Sequence, residues 1–272
     1  MTPQRVESWR AKFGPWALVT GATAGIGAHF ARELARRGLN VVVNARQRDD
    51  VEGVAQNLAE QFGIETRAAV ADLSRPGDVR ALLDGVADLE IGLVIQNAGT
   101  MTLGALCEAD IDAERGVAAL HVESTLMLAH ALVPPMRERG RGGLVIVSST
   151  MGAFAAPSAA NAAATKGWQR QFGIALAEEL RGSGVNVLVL CPALTDTRAI
   201  RRLNFRALGK RPMPVDVPVR AALDALGRRT LVTVGGANAL AGALLGLLPR
   251  TWVARIVRRY LRRLSIDNPS PR

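Results

Sequence analysis

Short apolar runs alternate along the chain with longer segments in which apolar positions recur at helical spacing. The runs cover residues 17–20, 41–45, 66–71, 93–96, 144–148, 185–191 and 231–234. Most are almost continuously apolar, which is typical of strands buried on both faces. The segments between them are long enough for crossover helices. The pattern therefore predicts an α/β fold with a doubly wound parallel sheet in three layers.

A glycine-rich turn follows the first run. Residues 20–27 read TGATAGIG, and helical periodicity begins directly after them. At such a strand–turn–helix junction, free N–H groups and the positive end of the helix dipole face an anion, and glycines let a pyrophosphate approach the backbone. The turn predicts a dinucleotide site. Taken alone it is weak support, because tight turns also use glycine.

Ligands of a doubly wound sheet gather beyond the carboxyl ends of its strands. Arg46 follows the second run, where an arginine suits a 2′-phosphate and favours NADP over NAD. The alternative is a solvated arginine. Asp72 and Leu73 follow the third run. There the carboxylate could accept a hydrogen bond from an adenine amino group or could close a turn before the next helix.

Further motifs follow in order. They are Asn97-Ala98-Gly99, Val147-Ser148-Ser149, Lys166 and Cys191-Pro192. From about residue 13 to 234 the series resembles the short-chain dehydrogenase/reductase family, which implies a Rossmann-type fold and an NADP(H)-dependent oxidoreductase acting on a small molecule. The predicted cofactor contacts are Gly21, Thr23, Gly25, Ile26, Gly27, Arg46, Asp72, Leu73, Asn97, Ala98, Gly99, Lys166, Pro192 and Thr195.

The resemblance breaks in the catalytic motif. The family uses a tyrosine acid/base four residues before a lysine, and a serine thirteen residues before the tyrosine. The lysine and serine positions are Lys166 and Ser149, but Ala162 occupies the tyrosine position and His121 the upstream asparagine position. Ala193 also replaces a usual glycine. Positioned proton transfer is worth about 10²–10⁴-fold, so the sequence predicts a poor ordinary ketoreductase.

Several explanations for the missing tyrosine stay open. The predicted catalytic residues are Ser149, Lys166 and His121, with His121 either a proton donor of suitable pKa or a hydrogen-bonded core histidine. The leading prediction is reduction of a carbonyl, imine or iminium in a specialised metabolite, with an atypical or substrate-assisted proton source. The alternatives are a non-redox cyclase, lyase or isomerase, a silent cofactor-binding protein, and an engineered residue 162.

The predicted organisation is one domain, residues 1–243, followed by a basic amphipathic tail, residues 244–272. An arginine-rich segment at 193–217 matches the family's substrate lid, with Thr195 placed at the nicotinamide. In the tail, apolar residues recur at helical spacing opposite arginines. The tail could lie on an anionic membrane surface, pack on a second subunit or cover the active site.

Composition narrows the function classes. The net charge is +10, yet nearly all basic residues are arginine and aromatics make up only 4%, so the interleaving that stacks nucleic-acid bases is missing and no nucleic-acid partner is predicted. The two cysteines lie far apart, with no metal-like spacing. The polar N-terminus predicts a cytoplasmic protein, and the resemblance implies a homo-oligomer.

Overall fold

The computed structural model describes residues 3–197, 201, 212–235 and 249–265. Within them, one sheet runs in the order β3-β2-β1-β4-β5-β6-β7, and every neighbouring pair is parallel. The strands are β1 (Trp16–Thr20), β2 (Asn40–Ala45), β3 (Thr66–Val70), β4 (Ile91–Gln96), β5 (Gly142–Val147), β6 (Val185–Pro192) and β7 (Leu231–Val234). The predicted doubly wound sheet is confirmed, and each predicted run forms a strand.

The strand order reverses at β1. Val19 of β1 pairs with Val43 of β2 on one side and with Ile95 of β4 on the other. The connections on the two sides of β1 therefore diverge, which opens a crevice beyond the carboxyl ends of β1 and β4. In folds of this class that crevice is the usual ligand site.

Helices cover both faces of the sheet. They are α1 (Pro3–Phe13), α2 (Gly25–Ala35), α3 (Arg48–Phe62), α4 (Pro76–Asp84), α5 (Ile111–Ala118), α6 (Ser124–Glu138), α7 (Ala160–Glu179), α8 (Asp216–Ala225) and α9 (Arg250–Ser265). One core cluster contains Phe30 and Leu34 of α2 with Leu223 of α8. The opposite cluster contains Leu82 of α4 and Leu128 of α6. The three-layer prediction is confirmed.

The long helical segment that begins at Ile111 is interrupted by a π turn. α5 and α6 are joined by Ala119–Glu123, which has π-helical geometry. The hydroxyls of Ser124 and Thr125 bond back to the carbonyls of Leu120 and His121 at 2.6 and 2.7 Å. These side chains satisfy carbonyls where the helical ladder is disturbed.

The combined helix, Ile111–Glu138, is the one among the described residues that is long and apolar enough to span a membrane. Its residues Leu128 and Met136 are fully buried in the protein core. A core helix passes the same length and composition test, so the finding carries little weight.

The ends of the predicted lid are held together. Thr195 forms a parallel bridge with Met213, and the backbone N–H of Met213 donates to the carbonyl of Leu194 at 2.9 Å. The predicted lid arginines 198, 202 and 206 lie outside the described residues, as do residues 244–248 and 266–272 of the predicted tail.

Candidate functional site

The turn between β1 and α2 has geometry that glycine adopts most easily. Gly21 and Gly25 have φ values of +63° and +56°, and a Cβ on Gly27 would lie 2.1 Å from the carbonyl oxygen of Gly21. α2 begins at Gly25 without a capping side chain, so its first N–H groups fit the phosphates of a dinucleotide. Thr23 and Ile26 lie in the same turn, half-buried and buried respectively.

The ends of β1 and β4 are joined by side-chain hydrogen bonds. Thr20 Oγ1 accepts from the backbone N–H groups of Asn97 and Ala98, each at 2.9 Å, and donates to Gln96 Oε1 at 3.0 Å. Asn97 Nδ2 donates to the carbonyl of Thr20 at 2.9 Å. Thr20 and Gln96 were not among the predicted contacts, and their only sequence signal is their position at strand ends. Their hydrogen bonds fix the floor of the crevice.

Arg46 and Asp72 lie beyond the ends of β2 and β3. Arg46 is exposed. Asp72 Oδ1 accepts from the backbone and hydroxyl of Ser74 at 3.1 and 2.7 Å. Burial raises the pKa of the Asp72 carboxyl, but the Ser74 hydrogen bonds and the charges of Arg46 and Arg75 outweigh it, so the pKa lies below its usual value. Leu73 is buried in the core.

Ser149 and Lys166 approach the same crevice from β5 and α7. Ser149 Oγ accepts from the backbone N–H of Met151 at 3.1 Å. In the described part of the chain, the hydroxyl's own hydrogen has no hydrogen-bond acceptor. Lys166 Nζ donates to the carbonyl of Val147 at 2.9 Å. Ala162, one helical turn before Lys166, is only 1% exposed, so a methyl group stands where the family has a phenol.

Asn161 adjoins Ala162 in sequence but is held elsewhere. Its Nδ2 donates to the backbone and side-chain oxygens of Glu114 at 2.8 and 2.7 Å. The other carboxylate oxygen of Glu114 accepts from the hydroxyl of Thr102 at 2.6 Å. Asn161 therefore links α7 to α5, and its amide does not replace the missing phenol.

The ammonium of Lys166 is enclosed although the residue as a whole is only partly buried. Burial lowers the pKa of the Lys166 ammonium to about 7, with a small opposing effect from Cys191. Besides Val147, the ammonium donates to Gln169 Oε1 at 2.9 Å. A Cβ on Gly99 would lie 3.4 Å from Lys166 Nζ, so the glycine after β4 lets the lysine reach the crevice.

His121 lies in the π turn and is fully buried. Its Nδ1 is 2.8 Å from Thr165 Oγ1, and its Nε2 accepts from the backbone N–H of Thr100 at 3.3 Å. Thr165 Oγ1 in turn donates to the carbonyl of Asn161, which leaves it to accept from His121. This network requires a neutral imidazole with the proton on Nδ1.

The same conclusion follows from electrostatics. Burial, and next the positive charge of Lys166, lower the pKa of His121 to about 2. A neutral imidazole whose ring nitrogens both have partners matches the core-histidine alternative and disfavours the proton-donor alternative.

The segment after β6 crosses above the glycine turn. Pro192 ends β6 and pairs with Val234. Thr195 is buried, and its hydroxyl donates to the carbonyl of Ala193 at 2.8 Å. A methyl group of Thr197 lies 3.1 Å from the position that a Cβ on Gly25 would take. The start of the predicted lid therefore lies against the first turn of α2.

An apolar wall lies beside Ser149. Ala156, Ala159 and Ala163 form a buried cluster, against which Met151, Phe154 and Val257 pack. Val257 belongs to α9, so part of the predicted tail packs against this cluster. Among the described residues, no group of three or more His, Cys, Asp or Glu side chains could hold a metal ion.

An uncapped glycine turn at the switch point of a doubly wound parallel sheet defines a nucleotide-binding α/β domain. The family model for short chain dehydrogenases matches residues 15–206. The chain therefore belongs to the short-chain dehydrogenase family, and the predicted resemblance is confirmed.

Individual relatives cover nearly the whole chain. The very-long-chain 3-oxoacyl-CoA reductase of Mus musculus is 29% identical over 257 residues, which are 93% of this chain and 81% of the relative. The inactive hydroxysteroid dehydrogenase-like protein 1 of Homo sapiens is 27% identical over 264 residues, 94% of this chain and 80% of the relative.

One similar solved structure contains a bound cofactor. The short-chain dehydrogenase from Sphingobium yanoikuyae in complex with NADPH superposes with a TM-score of 0.75 at 30% identity, covering 86% of this chain and 95% of that one. The NADP(H) prediction agrees with this neighbour.

Proposed function

We propose that the protein binds NADP(H) and reduces the carbonyl or iminium carbon of a bulky, apolar small molecule without a protein phenol as acid. The observation that carries the proposal is the combination of a complete glycine turn with Ser149 and Lys166 around the buried methyl of Ala162. The oxidoreductase names of the relatives support the reaction class, and the NADPH complex of the neighbour supports the cofactor.

Each group has a role that its position allows. NADPH, when bound, supplies a hydride to the substrate carbon. The first N–H groups of α2 would hold the phosphates, and the exposed Arg46 would bind a 2′-phosphate. Ser149 donates its free hydrogen to the substrate oxygen, which stabilises the negative charge that develops there. The oxygen then takes its proton from water or from the substrate itself, while an iminium needs none.

The substrate class follows from the wall beside Ser149. Ala156, Ala159 and Ala163 are buried, and the half-buried side chains of Met151 and Phe154 pack on them and give this region an apolar surface. A bulky apolar carbonyl compound fits such a wall, because burial of apolar surface supplies about 25 cal/mol per Å². The mouse relative's name, a reductase of very-long-chain 3-oxoacyl-CoA, supports an extended apolar substrate.

The test is transfer of deuterium from C4-deuterated NADPH to a panel of long-chain 3-oxoacyl thioesters, bulky ketones and cyclic iminium ions. We expect deuterium at the former carbonyl or iminium carbon, detected by mass spectrometry. Ser149→Ala should lower kcat/KM for a ketone by about 10²-fold. Ser183→Ala, a matched control whose hydroxyl donates to Leu180 at the far end of α7, should leave it unchanged.

The principal alternative is a cofactor-binding protein without redox activity, favoured by the loss of the acid and by the inactive human relative. It predicts NADPH binding with no deuterium transfer to any member of the panel. A non-redox enzyme would differ from such a binding protein because it would convert its substrate, without a change in nicotinamide absorbance. Absence of NADPH binding would exclude the proposed function altogether.

We also propose that α9 docks on anionic membranes. Val253 and Val257 face the protein, whereas Trp252 and Ile256 are 59% and 50% exposed. The helix sequence RTWVARIVRRYLRRLS has no acidic residue. Exposed apolar side chains flanked by arginines are the features of an interfacial helix.

Vesicle flotation tests this proposal. The protein should float with phosphatidylserine-containing vesicles and much less with neutral phosphatidylcholine vesicles. The double substitution Trp252→Ser and Ile256→Ser should abolish flotation and keep the fold, because both side chains are exposed. Equal flotation with neutral vesicles, or no effect of the substitutions, would contradict the proposal. The cytoplasmic and homo-oligomer predictions remain predictions.

A further inference from the structure

Lys166 has a second hydrogen-bond partner, which is a side chain on its own helix. The ammonium has three N–H donors. One donates to the carbonyl of Val147 and another to Gln169 Oε1, both at 2.9 Å. Gln169 lies three residues after Lys166 on α7, so both side chains share one helical face. Within the described residues the third N–H has no hydrogen-bond partner, and the ammonium lies beside Gly99, just after the end of β4.

Gln169 is itself fixed by its other end. It is completely buried, and its Nε2 donates to the carbonyl of His121 and to Thr125 Oγ1, both at 3.0 Å. Rotating the amide by half a turn would place an NH₂ group against the ammonium and an oxygen against the carbonyl of His121. Both contacts would be repulsive, so only one orientation of the amide satisfies its surroundings.

The carbonyl that Gln169 holds belongs to the π turn. His121 O accepts from Gln169 and from Thr125 Oγ1. The buried amide of Gln169 thus joins α7 to the π turn, and Lys166 is hydrogen-bonded to the same amide. Few side-chain conformations satisfy all these hydrogen bonds at once. The Lys166 ammonium is therefore held more firmly than the end of a flexible lysine side chain would be on its own.

We propose that Gln169 is a positioning residue for Lys166: it holds the ammonium at the Val147 carbonyl, charged and directed toward the cofactor crevice, in a site that lacks the phenol at position 162. The part of this inference that concerns the cofactor rests on the proposed function. The coupling between the Gln169 and Lys166 side chains is independent of the proposed function. Among the described residues, the titratable groups whose charges act on the ammonium are His121 from the π turn and Cys191 from β6.

The coupling has a direct readout because the chain contains only three lysines, Lys12, Lys166 and Lys210. With ¹³Cε-labelled lysine, NMR follows each side chain through a pH titration, and a Lys166→Arg variant assigns the Lys166 signal. Gln169→Leu removes an acceptor of the charged form and should lower the midpoint by about one pH unit. Gln169→Glu places a carboxylate oxygen at the ammonium and gives up the hydrogen bond to the His121 carbonyl. The added negative charge should raise the midpoint by a similar amount.

A matched control separates positioning from general packing. Asn40→Leu removes another buried amide, which bonds to Glu65 at the amino end of β2 and not to Lys166. It should lower the melting temperature and leave the Lys166 midpoint where it was. If Gln169→Leu does not fold, the upward shift of the midpoint in Gln169→Glu still tests the inference. An unmoved midpoint in Gln169→Glu, or an equal shift in Asn40→Leu, would overturn the inference.

Cofactor affinity is the second measurement. Gln169→Leu should weaken NADPH binding by about tenfold, measured by protein fluorescence quenching, because the ammonium is less often charged and in place. Wild-type affinity in Gln169→Leu would refute the cofactor part of the inference. If the wild type binds no NADPH, the proposed function fails, and the Lys166 titration still tests the coupling.

Discussion

The crevice has two sides. The nucleotide side is formed by the carboxyl ends of β1 to β4, and the catalytic side is formed by β5, the π turn and α7. On the nucleotide side, positive φ values and close approaches dictate the residue type, as at Gly21 and Gly27. On the catalytic side the polar groups bond mainly to one another, as Lys166 does to Gln169.

This difference indicates that the two sides can change independently. The nucleotide side depends on backbone geometry, so a single Cβ at Gly27 would obstruct it. The catalytic side depends on side chains. With a methyl group at Ala162 in place of a phenol, the neighbouring polar groups still have hydrogen-bond partners. A chain can therefore keep hydride placement while it loses the family's proton route.

Restoring the phenol should have the largest effect. Ala162→Tyr places a hydroxyl one helical turn before Lys166, on the same face of α7, where the ammonium lowers its pKa. We expect kcat for a bulky ketone to rise by about 10²–10⁴-fold, measured as NADPH oxidation. Ala164→Tyr, at an exposed position of the same helix, should give no gain.

The melting temperature and NADPH affinity must be measured in both variants, because residue 162 is buried and a phenol there needs space. If Ala162→Tyr folds and binds NADPH but stays inactive, the catalytic side has lost more than its acid, and the redox proposal weakens. Activity of Ala164→Tyr would show that the gain does not come from the crevice.

Obstructing the glycine turn should have the next largest effect. Gly27→Ala brings a methyl group against Gly21 O at 2.1 Å and Asn97 Nδ2 at 2.4 Å. We expect a loss of about 1–3 kcal/mol of unfolding free energy and roughly 10–100-fold weaker NADPH binding. Denaturant unfolding and fluorescence titration measure both.

Gly53→Ala is the matched control. Gly53 lies in α3, and a Cβ there meets nothing within 4 Å, so alanine should stabilise the helix by roughly 0.5–1 kcal/mol. NADPH affinity should not change. An unchanged affinity in Gly27→Ala would mean that the cofactor does not bind at the turn.

The sheet could be predicted because buried parallel strands leave a local signal. Apolar runs and turn residues marked the strands, although the run of the edge strand β3 is interrupted by Arg67 and none of its residues is fully buried. The motifs at 20–27 and 97–99 marked the switch point. The π turn left no such signal, because one inserted residue changes helical periodicity too little to be read from one sequence. Pro134 and Pro135 also lie inside α6 rather than ending it.

Site chemistry was harder to predict, because it depends on contacts between distant segments. The spacing of Lys166 and Gln169 is visible in the sequence, but Gln169 is oriented by His121 and Thr125, which are 48 and 44 residues away. The two alternatives for His121 could not be separated either, since its burial and the nearby ammonium are properties of the fold.

Removing the charge at Arg46 should have the smallest effect of the three. Arg46→Ala should weaken NADPH binding by about tenfold and leave NADH binding unchanged, because an exposed arginine contributes only part of the roughly 1.5–3 kcal/mol of a charge-assisted hydrogen bond. Arg48→Ala is the control, because Arg48 pairs with Glu52 at 3.0 Å on the surface of α3. Equal losses for both cofactors in Arg46→Ala would assign 2′-phosphate recognition to another residue, while the glycine turn would remain the phosphate site.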